Sequence, residues 1–166
     1  MLITKIVKKK ASRIRLLILD VDGVLTDGHL WMTEQGEYMK AFHIHDGLGI
    51  KRLQEAGITV AIISSRQSNI VTQRMQALGV KHIYQGVETK ITALQALSTQ
   101  LNISLESIAY VGDDEVDLPI MEQVGLSIAV ANAVESVKKQ ADWQTIRPGG
   151  QGAVREVCDI ILATSQ

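Results

Sequence analysis

Cysteine is almost absent from this sequence, since Cys158 is the single one among 166 residues. One cysteine excludes a disulfide bridge within the chain and a zinc site built from cysteines alone. Sparse cysteine is typical of proteins in a reducing compartment. We therefore expect a cytoplasmic protein whose fold depends on its core rather than on covalent links.

Long apolar runs are missing as well. The run Leu16–Leu19 is followed at once by Asp20 and Asp22, and nothing approaches the roughly 20 apolar residues of a membrane helix. A secretory signal places basic residues before its apolar stretch, whereas here mostly apolar residues come first and the basic residues 8–10 follow. The sequence predicts neither a membrane segment nor a secretory signal. The lysines and arginines of residues 5–15 are expected to form a solvated N-terminal arm.

Neither sign of charge is in excess, because Lys and Arg number 17 and Asp and Glu number 18. A surface for nucleic acid or another polyanion is therefore not expected. The two prolines and 13 glycines argue against a collagen-like or proline-rich chain. A hydrophobic fraction of 46% is typical of a folded soluble domain, and the length predicts one domain over residues 1–166.

Short apolar runs alternate with helix-like stretches along the chain. The predicted strands are 15–19, 59–63, 82–84, 108–111 and 127–130, with a weaker one at 143–146. The predicted helices are 48–56, 68–78, 89–101, 133–140 and 152–163. Strands that are apolar throughout are typical of a sheet covered on both faces. The alternation favours an α/β fold with a doubly wound parallel sheet.

Residues 29–43 break this alternation. Polarity alternates along 29–33 and 38–43, on either side of residues 34–37, which predicts a β-hairpin with a four-residue loop. Three of the six aromatic residues lie here, namely Trp31, Tyr38 and Phe42. Because an isolated hairpin is at best marginally stable in water, these aromatics must pack on the domain or on a neighbouring chain. We expect a subunit interface.

Polar residues follow the predicted strands at the points where the strands end. They are Asp20, Asp22, Ser64, Lys90, Asp113 and Asp117. Ligands of open α/β sheets bind beyond the carboxyl ends of the strands. We therefore expect these six side chains to converge on one edge of the sheet.

The residue types at this edge favour phosphoryl chemistry. Carboxylates held close together repel one another and need a cation between them, and oxygen ligands suit Mg²⁺. Ser64, Lys90 and free backbone amides near Gly23 offer hydrogen bonds and positive charge to a phosphoryl group. A magnesium site beside a phosphoryl site indicates phosphoryl transfer, and a carboxylate can itself be the nucleophile.

The order of these motifs resembles the haloacid dehalogenase superfamily, in its phosphatase branch. The resemblance rests on residues 20–26, on Ser64, on Lys90 and on residues 112–117. It implies a haloacid dehalogenase-like, Rossmann-like sheet into which the hairpin is inserted. Only 41 residues separate Asp22 from Ser64, and 25 separate Ser64 from Lys90. Neither gap leaves room for the cap domain that many members carry.

The resemblance assigns catalytic and metal-binding roles to the carboxylates. Asp20 would be the nucleophile and a Mg²⁺ ligand. Asp22 would protonate the leaving group and then activate water, and its backbone carbonyl would bind the metal. Asp113 would be a direct metal ligand, and Asp117 and Asp114 would complete or orient the shell around the metal.

Further residues are implied to bind the substrate. Ser64 and Lys90 would hold the phosphoryl oxygens, and the Gly23 amide fits the same role. Arg66 would lie near the substrate, where a sugar-acid carboxylate needs a bidentate cation. The family often has glycine where this chain has Ser65, which puts the local turn geometry in doubt.

The closer resemblance is to the 3-deoxy-D-manno-octulosonate 8-phosphate phosphatases, over roughly residues 13–163. It is carried by residues 26–28, the hairpin, residues 45–47, residues 112–119 and the tail 149–156. It implies a Mg²⁺-dependent phosphatase of lipopolysaccharide biosynthesis that forms an aspartyl-phosphate. It also implies a homotetramer joined through the 29–43 hairpin, in which a neighbour's C-terminal segment covers the site and Arg155 contacts substrate.

Other functions stay open at this point. One is a phosphatase for another acidic sugar phosphate, such as a nine-carbon ulosonic acid 9-phosphate. Another is a receiver-like signalling domain, although receivers normally carry the phosphorylated aspartate on a later strand than the one preceding Asp20. A nucleotide-binding module is disfavoured because the chain lacks both glycine-rich phosphate motifs.

Overall fold

The computed structural model describes residues 3–165 and contains a six-stranded parallel sheet. Residues 1, 2 and 166 of the predicted domain lie outside the described range. The strands are β1 (Leu16–Leu19), β2 (Trp31–Thr33), β3 (Gly36–Met39), β4 (Thr59–Ile63), β5 (His82–Tyr84), β6 (Ile108–Gly112), β7 (Leu126–Ala129) and β8 (Trp143–Gln144). The large sheet has the order β5-β4-β1-β6-β7-β8, and β2 pairs with β3 separately.

The strand β1 lies in the middle of the sheet because all four of its residues are apolar and can be covered on both faces. Each of them is fully buried. Leu16 is in register with Thr59 of β4 on one side and Ile108 of β6 on the other. The chain leaves β1 towards β4 and β5 and returns to β6 on the opposite side. The carboxyl ends of β1 and β6 therefore meet where the strand order reverses, which confirms the doubly wound topology.

Helices cover both faces of the sheet. They are α1 (Lys5–Ala11), α2 (Ile44–Glu55), α3 (Asn69–Ala77), α4 (Lys90–Leu101), α5 (Leu118–Met121), α6 (Glu135–Gln140) and α7 (Ala153–Thr164). The helices α1, α2 and α7 pack together on one side, and α4, α5 and α6 form the other group. Among residues 3–165 there is no cap domain, as expected. No helix in this range has the length and apolar character needed to cross a bilayer.

The N-terminal segment corrects the sequence analysis. The expected solvated arm is instead the helix α1, which packs against α7. Val7 and Ala11, four residues apart and therefore on one face of the helix, are buried. The surrounding lysines obscured this short apolar stripe. The short helix α5 was also not predicted, and α2 begins at Ile44 rather than at residue 48.

The hairpin is confirmed, although its turn is shorter than predicted. Only residues 34 and 35 separate β2 from β3, because Gly36, with φ of +110°, pairs directly with Thr33. Trp31 and Tyr38 are 52% and 71% exposed, whereas Phe42 packs on the core of its own chain. The hairpin thus presents two large aromatic side chains to its surroundings.

A buried carboxylate joins α7 to α2. Asp46, in the first turn of α2, accepts a hydrogen bond of 2.7 Å from the backbone N–H of Arg155. Burial raises the pKa of Asp46. Just before α7, the N–H of Gly150 donates to the carbonyl of Val24 at 3.0 Å. The hydrogen bond from Arg155 to Asp46, called here the joint between α2 and α7, therefore supports the glycine segment 149–152. This segment lies against the loop after β1.

Candidate active site

The two aspartates after β1 lie at the carboxyl edge of the sheet. The N–H of Asp20 continues the sheet by donating to the carbonyl of Val111 at 3.1 Å, and the Asp20 side chain is buried. Asp22 is half-buried. The two carboxylates therefore lie in different environments. That of Asp20 is enclosed by the sheet, and that of Asp22 lies at the opening of the site.

Lys90 joins Asp20 to Asp117. Lys90 begins α4, and its Nζ lies 3.0 Å from Oδ2 of Asp20 and 2.6 Å from Oδ1 of Asp117. Burial disfavours the charge of Lys90, but its attraction to the two carboxylates outweighs this and raises its pKa. The fully buried Tyr110 donates its hydroxyl to the same Asp117 oxygen at 2.6 Å. Lys90 is therefore a fixed cation beside Asp20.

Asp117 orients the neighbouring backbone instead of facing the opening. Its Oδ2 accepts hydrogen bonds from the N–H groups of Asp113 and Asp114, at 2.9 and 3.2 Å. This places Asp117 behind Asp113. Asp114 itself is exposed, and its carboxylate accepts from the N–H of Glu115.

Asp113 has the features of a cation ligand. Its Oδ1 is buried and has no hydrogen-bond partner in the described chain. Asp20, Asp113 and Asp117 each offer an oxygen within 4.8 Å of the others. Burial and the charges of Asp20, Asp117 and Asp114 raise the pKa of Asp113 to about 8, and burial raises that of Asp20 to about 6. An oxygen-only set of this kind fits Mg²⁺, which relieves the repulsion.

Ser64 and Arg66 extend the site from the end of β4. Ser64 is buried, and its Oγ accepts from the N–H of Arg66 at 3.4 Å. The Arg66 side chain is half-exposed, with Nε 3.4 Å from Oδ2 of Asp22. The structure thus brings Arg66 beside the half-buried Asp22, and a contact between Arg66 and substrate stays a prediction.

Two charged residues of the site were missed by the sequence analysis. Lys40 follows β3, and its Nζ forms ion pairs with Oδ1 of Asp22 and with Oε1 of Glu37. The Lys40 side chain is only 1% exposed. Neither residue belongs to a motif, and their spacing of three residues in a hairpin gives no signal of burial.

Glycines allow the loop after β1 to pack tightly. A Cβ on Gly23 would lie 2.0 Å from Oδ2 of Asp113, and one on Gly149 would lie 1.7 Å from the carbonyl oxygen of Gly23. The Gly23 amide, which was expected to be free for phosphate, donates instead to Oγ1 of Thr26 at 3.3 Å. That expectation is corrected because the Thr26 hydroxyl closes the loop on itself.

Arg155 lies apart from these residues in its own chain. It is in α7, where its Nε is 2.8 Å from the carboxylate of Asp159, one helical turn away. A Cβ on Gly49 of α2 would lie 3.1 Å from Cδ of Arg155. A contact between Arg155 and substrate in a neighbouring subunit stays a prediction.

Removing divalent cations is expected to make stability depend on pH through Asp113 and Asp20. Their pKa values of about 8 and about 6 lie above the ordinary 3.8, so the native state binds protons that the unfolded state releases. With a chelator present, stability should therefore increase as pH falls from 8 to 6. We expect a gain in Tm on the order of 5 °C by calorimetry, since ~1 kcal/mol moves Tm by about 2–4 °C at this size.

The variant Asp113→Asn separates this effect from other titrations. It lacks the carboxylate whose pKa is raised most by burial and neighbouring charges, so its Tm should change less between pH 8 and pH 6. The matched variant Asp27→Asn, at an exposed carboxylate whose pKa is lowered by the N–H of His29, should keep the wild-type slope. Equal slopes in Asp113→Asn and wild type would contradict the prediction.

The chain is similar to known sugar-phosphate phosphatases. The model of the haloacid dehalogenase-like hydrolase family matches residues 82–155. A protein of Escherichia coli, the 3-deoxy-D-manno-octulosonate 8-phosphate phosphatase KdsC, is 51% identical over 94% of this chain and 83% of its own length. The similarity therefore extends well beyond the matched segment.

Solved structures agree with this relationship. The 3-deoxy-D-manno-octulosonate 8-phosphate phosphatase of Yersinia pestis superposes with a TM-score of 0.95 at 46% identity, over 97% of this chain and 87% of that one. The corresponding phosphatase of Moraxella catarrhalis, solved with a magnesium ion, a phosphate ion and KDO, gives 0.92 at 43% identity, over 95% and 91%. Fold and sequence thus point to the same family.

Proposed function

The chain belongs to the haloacid dehalogenase-like hydrolases, in the family of the 3-deoxy-D-manno-octulosonate 8-phosphate phosphatases, and from this membership we propose its reaction. The protein is a phosphoric monoester hydrolase that converts 3-deoxy-D-manno-octulosonate 8-phosphate to the free sugar acid and phosphate. The family excludes the receiver domain, which the sequence left open, and the nucleotide-binding module, which the sequence disfavoured. The observation that carries the assignment to this site is the placement of Asp20 beside Lys90, two residues before Asp22.

Asp20 acts as the nucleophile in this proposal. A carboxylate oxygen of Asp20 attacks phosphorus, and the bond from phosphorus to the sugar oxygen breaks. Lys90, 3.0 Å from Asp20, offers its charge to the phosphoryl oxygens, and Ser64 offers its hydroxyl from the end of β4. The product of this step is an aspartyl-phosphate on Asp20.

Asp22 acts first as the general acid and then as the general base. Its Oδ2, on the side of Arg66, gives a proton to the departing sugar oxygen and later takes one from the water that attacks the aspartyl-phosphate. This second attack breaks the bond between phosphorus and Asp20, which restores the Asp20 carboxylate and the protonated carboxyl group of Asp22. Arg66 is placed to pair with the carboxylate of the sugar acid.

Mg²⁺ is the cofactor of the reaction. Asp20 and Asp113 would hold it, with the backbone carbonyl of Asp22, and Asp117 would keep Asp113 in position through its N–H. When bound, Mg²⁺ stabilises the negative charge that spreads over the phosphoryl oxygens. The unpartnered Oδ1 of Asp113 supports this assignment.

Phosphate release from a panel of sugar phosphates tests the reaction and its substrate. The panel includes the eight-carbon substrate, a nine-carbon ulosonic acid 9-phosphate and neutral sugar phosphates, each with Mg²⁺ and with a chelator. We expect Mg²⁺-dependent turnover that is fastest on the eight-carbon sugar acid. Preference for the nine-carbon compound would assign the protein to another acidic sugar, and no turnover of any compound would refute the phosphatase assignment. If the eight-carbon sugar acid is the preferred substrate, the free sugar acid that is released would serve lipopolysaccharide synthesis.

We also propose that the protein associates as a homotetramer through the hairpin. Support comes from Trp31, Met32 and Tyr38, which are 52%, 58% and 71% exposed on one small two-stranded unit. Apolar patches of this kind mark association sites. Light scattering should give four times the chain mass for the wild type. The double variant Trp31→Ser, Tyr38→Ser should give a smaller species, and an unchanged mass would contradict the hairpin as the interface.

A further inference from the structure

Ion pairs connect the hairpin to the loop after β1, which carries Asp20 and Asp22 and is called the catalytic loop below. Glu37 is on β3, and Lys40 follows that strand directly. Lys40 lies between Glu37 and Asp22, with its Nζ 2.8 Å from Oε1 of Glu37 and in close contact with Oδ1 of Asp22. The second oxygen of Glu37 accepts from the hydroxyl of Ser68. Lys40 thus links the hairpin, which lies outside the main sheet, to the Asp22 carboxylate that transfers protons.

The burial of Lys40 makes this arrangement restrictive. A buried ammonium group is costly unless it is paired, so a side chain that is 1% exposed stays where its carboxylates are. Glu37 is itself mostly enclosed, at 15% exposure, and Ser68 is buried. Burial and the ion pair with Glu37 therefore keep the Lys40 ammonium group in place. It would not move with the Asp22 carboxylate if that side chain adopted another rotamer.

The two oxygens of Asp22 consequently face different partners. Oδ1 is occupied by Lys40, whereas Oδ2 lies 3.4 Å from Nε of the half-exposed Arg66. An oxygen that is locked in a buried ion pair is unavailable for proton transfer to substrate. The oxygen near Arg66 is on the more open side of Asp22, since the Arg66 side chain is 47% exposed and that of Lys40 is 1% exposed.

We propose that Lys40, anchored by Glu37, is a positioning residue that fixes the Asp22 carboxylate so that Oδ2 faces the leaving oxygen of the substrate. This inference rests on the proposed role of Asp22 as general acid. It predicts that the placement of the hairpin controls proton delivery without contributing to phosphate binding.

The test uses the dependence on leaving group. The two substrates are 3-deoxy-D-manno-octulosonate 8-phosphate, whose sugar oxygen must be protonated as it leaves, and p-nitrophenyl phosphate, whose leaving group is stable without a proton. The measured quantity is kcat/KM, which reports the steps up to departure of the leaving group. In Lys40→Met it should fall about 30-fold for the sugar phosphate, part of the ~10²–10⁴-fold supplied by a general acid, and less than about 3-fold for the aryl phosphate.

Two further variants complete the series. Glu37→Gln keeps Lys40 but weakens its anchor, so it should show the same selectivity with a smaller loss. It also carries the test alone if circular dichroism shows that Lys40→Met is unfolded. Lys51→Met, the same substitution at an exposed position of α2, should leave both substrates unchanged.

The outcomes separate this inference from the proposed function. Equal losses on both substrates, or no loss on either, in the folded Lys40 and Glu37 variants would overturn the positioning role. Asp22→Asn should show the strongest selectivity against the sugar phosphate. If Asp22→Asn is not selective, the general-acid role itself fails. If Asp22→Asn is selective and the Lys40 and Glu37 variants are not, only the inference about Lys40 fails.

Discussion

Asp20→Asn is expected to reduce kcat for the sugar phosphate by ~10⁴-fold or more, the scale found when a covalent nucleophile is removed. The amide oxygen of asparagine cannot form an acyl-phosphate by attacking phosphorus. The substitution also removes the charge that lies 3.0 Å from Lys90. Phosphate release under saturating substrate and Mg²⁺ measures the loss.

A second measurement ties the loss to the covalent step. Wild-type protein quenched in acid during turnover should carry one phosphoryl group on the peptide containing Asp20, by mass spectrometry, and Asp20→Asn should carry none. Asp27→Asn, the same change at an exposed carboxylate of the same loop, should keep wild-type activity. Activity of Asp20→Asn within tenfold of the wild type would show that another group is the nucleophile.

Gly149→Ala is expected to lower kcat by ~100-fold, although residue 149 carries no reactive group. The added Cβ would lie 1.7 Å from the carbonyl oxygen of Gly23 and 2.5 Å from its carbon, so one of two backbone segments must move. Gly23 in turn contacts the carboxylate of Asp113. A displacement of about 1 Å in such a site can cost ~10²-fold in rate.

A neighbouring position provides the control for this prediction. Gln151 is exposed two residues later, so Gln151→Ala should keep wild-type kcat and Tm. Gly149 does not have a positive φ, which means that alanine suits its backbone and that the contact alone is tested. If Gly149→Ala keeps wild-type kcat while remaining folded, the glycine contact does not support the catalytic loop.

The catalytic edge could be predicted because topology determines it. The strand β1 is apolar throughout and β4 and β6 are mostly apolar, and the parallel sheet that they imply brings its carboxyl ends to one edge. Any polar residue directly after such a strand is placed by that rule. This is why Asp20, Ser64 and Asp113 were predicted together from one sequence, whereas their individual roles stay predictions.

The remaining features depend on side-chain contacts that leave no periodic signal. Lys40 is buried only because two carboxylates meet it, and a lysine after an exposed strand otherwise predicts a solvated side chain. The Gly23 amide was predicted to be free because Thr26 was not considered as a partner for it. A threonine three residues after an amide is a recognised signal for such local closure.

The architecture also has a consequence for the order of synthesis. Asp20 and Asp22 follow β1 and are synthesised before the rest of the sheet, whereas the glycine segment that supports their loop is attached to α7, which is synthesised after β8. A nascent chain that has emerged only as far as β8 already contains all of the clustered carboxylates, but the joint between Asp46 and Arg155 does not yet exist. Until α7 packs against α1 and α2, the loop after β1 therefore lacks the contact from Gly150 that supports it, and we expect catalysis to begin only once α7 has docked.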